Sequence, residues 1–455
     1  MSESTDAATV TATGTAVVVT EEDLKRARDR HRVVAARGSG KRTPLLLWLL
    51  IGPGMLTILG ENDAPSMISY AQTGAQFGIS FFLPFIAALF AMAYVVQEMT
   101  VRLGVVTHRG HAEMIFDRFG RFWGWFSLSD LAIGNLLTLV TEFIGVRAGL
   151  SYFGVPPVVS VVGAVLLIVV ATATARYWTW ERIALGLAVF NGLFVPAALF
   201  AHPHWLSIGH AMLTWGPLPG GLGNATILLL LSNIGATVTP WMLFFQQSAV
   251  ADKGMTHLDL RQGRIDTALG AALAALFAIA TVVATAPLYT RGVNVSSFQG
   301  ADFAQALRPL IGQVGATLFA LGIFEAGLVA AITISTSSAY AFGEVAGTAR
   351  SHNRGFKDGL PFHLILIASA AIAGVLVLIP GIPLVYIVLI VNVIAVLAMP
   401  PALVLLYLLV NDREVMGDLR NGRLGNVMST LTVVFLVGAG VLFGITVIFP
   451  HLFGK

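Results

Sequence analysis

The chain has 455 residues, of which 56% are hydrophobic and 11% charged; an ordinary soluble domain carries roughly 45–50% apolar and about 25% charged residues. With a net charge of only +3 and a mean hydropathy of +0.81, this composition excludes a soluble enzyme, a disordered chain and a nucleic-acid binder. The absence of cysteine further excludes disulfides, thiolate metal sites and cysteine nucleophiles.

Residues 1–43 read as a polar, then basic, cytoplasmic tail carrying Lys25, Arg26, Arg28, Arg30, Arg32, Arg37, Lys41 and Arg42. The apolar stretch Val17–Val19 is too short for a signal-peptide core and no Lys or Arg precedes it, so no cleaved signal is expected. From residue 44 apolar runs repeat, and about 20 apolar residues suffice to cross a bilayer. Eleven candidate spans follow, at about 44–70, 80–102, 122–150, 158–176, 182–201, 224–250, 266–288, 312–345, 362–380, 384–411 and 428–450. Loops after even-numbered spans carry Arg109, Arg118 and Arg121; Arg182; Lys253, Arg261 and Arg264; Arg350, Arg354 and Lys357; Arg413, Arg420 and Arg423. Loops after spans 1, 3, 5 and 9 carry none, and only Arg291 and Arg308 after span 7 break the pattern. The positive-inside rule then puts the N-terminus in the cytoplasm and the C-terminus outside. The expected location is a bacterial inner (plasma) membrane, with the lipid bilayer as partner and no nucleic acid; a monomer is a plausible unit.

Two spans are interrupted. Span 1 reads GPGMLTILGENDAPSMISYAQTGAQFG from Gly52 to Gly78, with Glu61, Asn62, Asp63 and Pro65 at its centre. Span 6 reads LSNIGATVTPWMLFFQQSAV from Leu231 to Val250, with Gly235, Ala236, Thr239 and Pro240 at its centre. Proline removes a backbone donor and clashes with the preceding turn. Irregular backbone at membrane depth persists only where protein or a wet cavity covers it. Paired broken helices point to inverted repeats with a substrate site between them, and intramembrane carboxylates such as Asp63 are functional by default. The plainer reading is two proline kinks, with Asp63 as a helix cap.

The span-1 run resembles the first helix of the Nramp family of divalent-metal transporters, with its D-P-G-N motif and Q-A-G-A-x-[FY]-G tail. Span 6 is similar to that family's G-A-T-V-M-P-H stretch. Further resemblance lies in QEMTVRLGVVTHRGHAE (97–113), ATLFALGIFEAGLVAAITIS (316–335) and MPPALVLLYLLVNDREVMG (399–417), and it covers about residues 44–450. The resemblance implies an all-α LeuT-type fold of 11 transmembrane helices, with helices 1 and 6 broken. Two inverted five-helix repeats, about 44–201 and 224–411, would be followed by one extra helix at about 428–450. It also implies no cofactor and no enzymatic activity.

By this resemblance Asp63 sits at the family's metal-binding aspartate, and Ala236 where a backbone carbonyl faces the metal. Ser66 replaces the family's asparagine, Thr239 its methionine, Trp241 its histidine and Asn392 its span-10 glutamine. The D-x-x-E pair tied to proton movement becomes Leu139 and Glu142, and a further acid is missing at Ala132. Loss of the soft thioether leaves an all-oxygen set of Asp63, Ser66, Thr239, Asn392 and carbonyl groups, with Glu61 as a possible second carboxylate. Such ligands suit Mg²⁺ and Mn²⁺, and Mg²⁺ characteristically keeps several waters. This is similar to the Nramp-related magnesium transporters, which lack the methionine and much of the proton machinery; plant aluminium carriers also lack it, so Al³⁺ stays open.

Glu142, Trp241 and Glu325 are candidates for an ion path or gate. A Glu142–Arg147 ion pair is the plainer alternative for the first. Glu325 lies mid-span in a helix that lines a cation site in other LeuT-type transporters. Glu98 and Arg102 read as a structural i,i+4 pair. His108, His111, His202, His204 and His210 read as loop residues, and Trp123, Trp125 and Trp178 as interface aromatics. The expected function is transport of Mg²⁺, with Mn²⁺, without proton coupling. The alternatives are a proton-coupled Mn²⁺/Fe²⁺ symporter, and a LeuT-type carrier of an organic solute or a metal sensor that moves nothing.

Overall fold

The computed structural model describes residues 8–10, 16–18, 30–35, 49–172, 176–218, 221, 223–295, 298, 300–347, 351–353, 359–381 and 384–448. Most of the expected N-terminal tail, residues 44–48 of span 1, and the loop cations Arg350, Arg354 and Lys357 lie outside the described residues. Within the tail, β1 (Ala8–Val10) pairs antiparallel with β2 (Ala16–Val18), a departure from the all-helical expectation. A short helical stretch at 30–35 is tied to the body of the protein by Arg30, whose Nη1 donates to Asp259 Oδ2 at 2.9 Å.

Among the described residues every other regular element is a helix. The elements are α1 (Pro53–Glu61), α2 (Ala64–Phe77), α3 (Phe82–Thr107), α4 (His111–Ser151), α5 (Pro157–Thr172) and α6 (Tyr177–Phe200, with a 3₁₀ turn at Val189–Leu193). They continue with α7 (Trp205–Thr214), α8 (Asn224–Gly235), α9 (Pro240–Asp252), α10 (Leu260–Thr290), α11 (Gly300–Ala346), α12 (Leu360–Val377), α13 (Leu384–Asn411) and α14 (Arg423–Ile448). Among the described residues nine helical stretches are long and apolar enough to cross a membrane, α8–α9 counted as one. The first expected span is divided into α1 and α2, and α5 is a shorter apolar helix.

Two helices begin earlier than hydropathy suggests. α4 starts at His111 and α11 at Gly300, each bending at a glycine: Gly120 (φ 83°, ψ 177°) and Gly312 (φ 74°, ψ 171°). These backbone angles are essentially open to glycine alone. They let a more polar segment turn into the apolar span that follows.

The core is made of helices in close contact. α11 packs along α4, and α10 packs against α1, α2 and α3. Small residues permit this approach. A Cβ on Gly145 of α4 would lie 1.9 Å from the Cβ of Ala64, and one on Gly54 of α1 would lie 2.8 Å from the Cα of Thr267. The periphery shows the opposite pattern: Val158, Val162, Leu166 and Val170 form one exposed stripe on α5, as a lipid-facing helix requires.

Three of the expected loop and interface assignments need correction. His111 is buried at the start of α4, with its Nδ1 2.9 Å from Gln247 Oε1, because Gln247 on α9 reaches it. His210 lies within α7, not a loop. Trp178 is buried rather than at a lipid interface, because Lys253 sits over its ring at 5.2 Å. Trp123 and Trp125 are exposed as expected, and Glu98 and Arg102 pair at 3.0 Å.

Candidate functional site

The two helix breaks face each other in the core. α1 ends at Glu61, and Asn62 bridges out of it by donating from Nδ2 to the Ala274 carbonyl at 2.9 Å. Asp63 then caps α2 in an extended conformation (φ −76°, ψ 172°), with Oδ1 accepting from Ser66 N at 2.8 Å. Pro65 sits in the first turn, where a missing N–H costs nothing. In the other break, Thr239 is extended (φ −123°, ψ 156°), as a residue before proline prefers, and Pro240 starts α9.

The side chains then close the gap. Thr239 Oγ1 donates to Glu61 Oε2 at 2.7 Å. Glu142 Oε2 on α4 accepts from Ala64 N at 3.1 Å, and its carboxyl also faces that of Asp63. The structure thus brings Glu61, Asp63, Thr239 and Glu142 to one place. Each is no more than 4% exposed. Glu61 Oε1, Asn62 Oδ1, Ser66 Oγ and Glu142 Oε1 are buried there without a protein partner. Buried oxygens in that condition are free to accept a hydrogen bond or to face a cation.

Glu142 does not pair with Arg147; Arg147 Nη1 donates to the Val377 carbonyl at 3.1 Å. Five residues turn a helix by about 140°, so the two side chains leave on different faces. Ala236 caps α8 by donating its N–H to the Ser232 carbonyl at 2.8 Å, and its own carbonyl accepts from the Tyr70 hydroxyl at 2.9 Å. Asn392 Nδ2 donates to Ser69 Oγ at 3.0 Å, and Ser69 in turn lies 2.7 Å from Ser232 Oγ. Asn392 therefore joins α13 to α2 one helical turn beyond Ser66. Trp241 is buried and stands over Gly60, with its ring 3.2 Å from where a Cβ there would lie. Glu325 on α11 is 5% exposed, and neither carboxylate oxygen has a partner; it takes no part in the bonds at the breaks.

Tyr70 is a residue that sequence reasoning missed. Its position, two turns past Asp63 on the face that also carries Ser66 and Thr73, was the available signal. No cluster of three or more His, Asp or Glu side chains able to hold a metal exists among the described residues. The breaks offer instead the Asp63 and Glu61 carboxylates mixed with hydroxyl and carbonyl oxygens. The sulfur next door is engaged elsewhere, since Met67 Sδ accepts from Thr281 Oγ1 at 3.3 Å.

Two broken helices meeting at a buried polar site, inside a helical bundle of membrane-length spans, are the architecture of the LeuT-type fold. The family profile described as natural resistance-associated macrophage protein-like matches residues 54–446, and the chain belongs to this family of membrane metal transporters, which are not enzymes. It is 25% identical over 398 residues to the divalent metal cation transporter MntH of Aeromonas hydrophila, covering 86% of this chain and 93% of that protein. MntH of Yersinia enterocolitica is similar at 24% identity, with the same coverage of 86% and 93%. A solved manganese transporter of Eremococcus coleocola superposes with a TM-score of 0.73 at 21% identity, covering 91% of this chain and 90% of that one. The more distant MhsT, solved with L-phenylalanine, superposes with a TM-score of 0.52 at 17% identity, over 86% of this chain and 97% of that one. These superpositions bear out the LeuT-type fold.

Proposed function

We propose that the chain carries hard divalent cations across the membrane, Mg²⁺ first and Mn²⁺ with it, without moving protons. The observation that carries this reading is the all-oxygen lining of the two breaks: Asp63 and Glu61 carboxylates, Thr239 and Ser66 hydroxyls and the Ala236 carbonyl. Oxygen donors favour Mg²⁺ and Mn²⁺ over softer metals. Sparse, short ligands suit an ion that enters with part of its water shell. The C-terminal ends of α1 and α8 add the negative pole of each half-helix. Asp63 is the principal ligand in this scheme. Asn392 acts from one turn away, Trp241 closes one side, and Glu142 and Glu325 lie along the path. With the N-terminus in the cytoplasm, the membrane potential drives the cation inward.

A second reading, a proton-coupled Mn²⁺/Fe²⁺ symporter, is favoured by one contact: Glu142 touches both the Ala64 amide and Asp63, where it could exchange a proton with the ligand. Uptake of Mg²⁺ and Mn²⁺ into proteoliposomes containing a pH-sensitive dye separates the two. Asp63-dependent Mg²⁺ uptake without lumenal acidification is the expected result, and Asp63→Ala should lower it to the level of protein-free vesicles. Mn²⁺ uptake that excludes Mg²⁺ and acidifies the lumen would select the symporter.

A further inference from the structure

Away from the helix breaks, a groove of about 520 Å³ opens between α3, the start of α10 and the start of α14. Its polar end holds Arg102, Arg264 and Arg420, set against Glu98 and Asp418. Arg102 is 6% exposed. Its Nη1 donates to the Leu419 carbonyl at 3.1 Å and its Nη2 to Glu98 Oε2 at 3.0 Å. Its Nε–H is buried without a partner. Arg264 donates from Nε to the other Glu98 oxygen at 2.8 Å. Glu98 therefore answers two guanidinium groups at once, while Arg420 and the adjacent Arg423 make no ion pair among the described residues. The groove is thus lined by the three cations Arg102, Arg264 and Arg420 against the two carboxylates Glu98 and Asp418, an excess of one positive charge.

Its other wall is apolar and continues out of it. Leu424 and Met428 line the groove. Leu424, Val427, Leu431 and Val434 then form one exposed face down α14, at 76%, 56%, 62% and 64% exposure. Cations at the mouth of a membrane-facing groove, followed by an apolar track along the helix, match one kind of ligand. Its head carries a phosphate, which arginine forks recognise well. Its tail is an acyl chain, which an exposed apolar helix face accepts in the bilayer.

We infer that this groove is a binding site for an anionic phospholipid, with the phosphate at Arg264, Arg420 and the Arg102 Nε–H and an acyl chain along the Leu424–Val434 face. The lipid supplies the negative charge that the groove lacks. By bridging α3, α10 and α14 it also ties the last helix to the transporter body.

Native mass spectrometry of the full chain in detergent tests this, with phosphatidylglycerol or phosphatidylcholine of identical acyl chains added. The wild type should retain phosphatidylglycerol in preference to phosphatidylcholine. The R264Q/R420Q variant should lose phosphatidylglycerol retention on the order of thirty-fold and leave phosphatidylcholine unchanged. Leu424→Gln, which keeps every arginine, should lower retention of both lipids. R420Q alone, at an exposed position, carries the test if the double variant does not fold. Equal retention of the two lipids by the wild type, or undiminished phosphatidylglycerol on R420Q, overturns the proposal. Displacement of the lipid by glycerol phosphate at equal concentration would assign the groove to a free phosphate and overturn the lipid assignment.

Discussion

Thr239 donates its hydroxyl hydrogen to Glu61 Oε2 at 2.7 Å, a bond that fastens the break in one half of the molecule to the break in the other. Glu61 is fully buried and its second oxygen has no protein partner. Thr239→Val would leave both oxygens without one. A buried polar group stripped of its partner costs about 1–3 kcal/mol, and the thermal midpoint should fall by several degrees. Thr239→Ser keeps the hydroxyl and should recover most of that loss. An unchanged midpoint for the valine variant in the same lipid would mean that the bond holds nothing together.

A second fastening lies at the other end of α9. Lys253 Nζ and Glu181 Oε2 are 2.7 Å apart with both side chains wholly buried. The same ammonium donates to the carbonyls of Ile51 at 2.9 Å and Leu50 at 3.2 Å, just before α1 begins. Removing one member of a buried pair strands the other, typically at about 3–5 kcal/mol. Lys253→Met should therefore destabilise strongly and release the approach to α1. The chain has no cysteine, so Leu50→Cys provides a lone thiol for a maleimide. Labelling should be faster in the Lys253→Met background; equal rates would show that Lys253 does not restrain this segment.

Outside the spans, His352 stacks on Trp180 with ring centroids 4.2 Å apart, and neither ring nitrogen has a partner. Burial, reinforced by His363, pushes its pKa well below the ordinary 6.5. The unfolded chain therefore binds a proton below about pH 6.5 that the folded chain refuses. Stability from this group is intact above that pH and declines on acidification, by up to ~1.4 kcal/mol per pH unit. His352→Phe keeps the stacking and should flatten the acid limb of a plot of thermal midpoint against pH between about 7.5 and 5. A limb of unchanged slope would place the acid sensitivity elsewhere.

The spans and their breaks were legible because both are local. A bilayer demands a continuous apolar run, and Pro65 and Pro240 mark interruptions by what they cannot donate. The oxygen character of Asp63, Ser66 and Thr239 was equally visible in a short stretch. Hydropathy could not see the starts of α4 and α11, since the segments before Gly120 and Gly312 are too polar to count as membrane helix. Nor could it see pairings across the bundle. Thr239 and Glu61 are 178 residues apart, and no one-dimensional pattern encodes that they touch. Arg147 shows the converse error: nearness in sequence suggested a partner that helix rotation forbids.

The Tyr70 hydroxyl at the Ala236 carbonyl has a consequence for the cost of each transport cycle. A carbonyl oxygen has two lone pairs, and the phenol occupies one. The other stays available, on an oxygen whose direction is fixed and whose electrons are already drawn outward by the bond it accepts. Under the proposed function, a cation arriving at Ala236 would meet a dipole oriented once, when the chain folded, and would leave it oriented for the next.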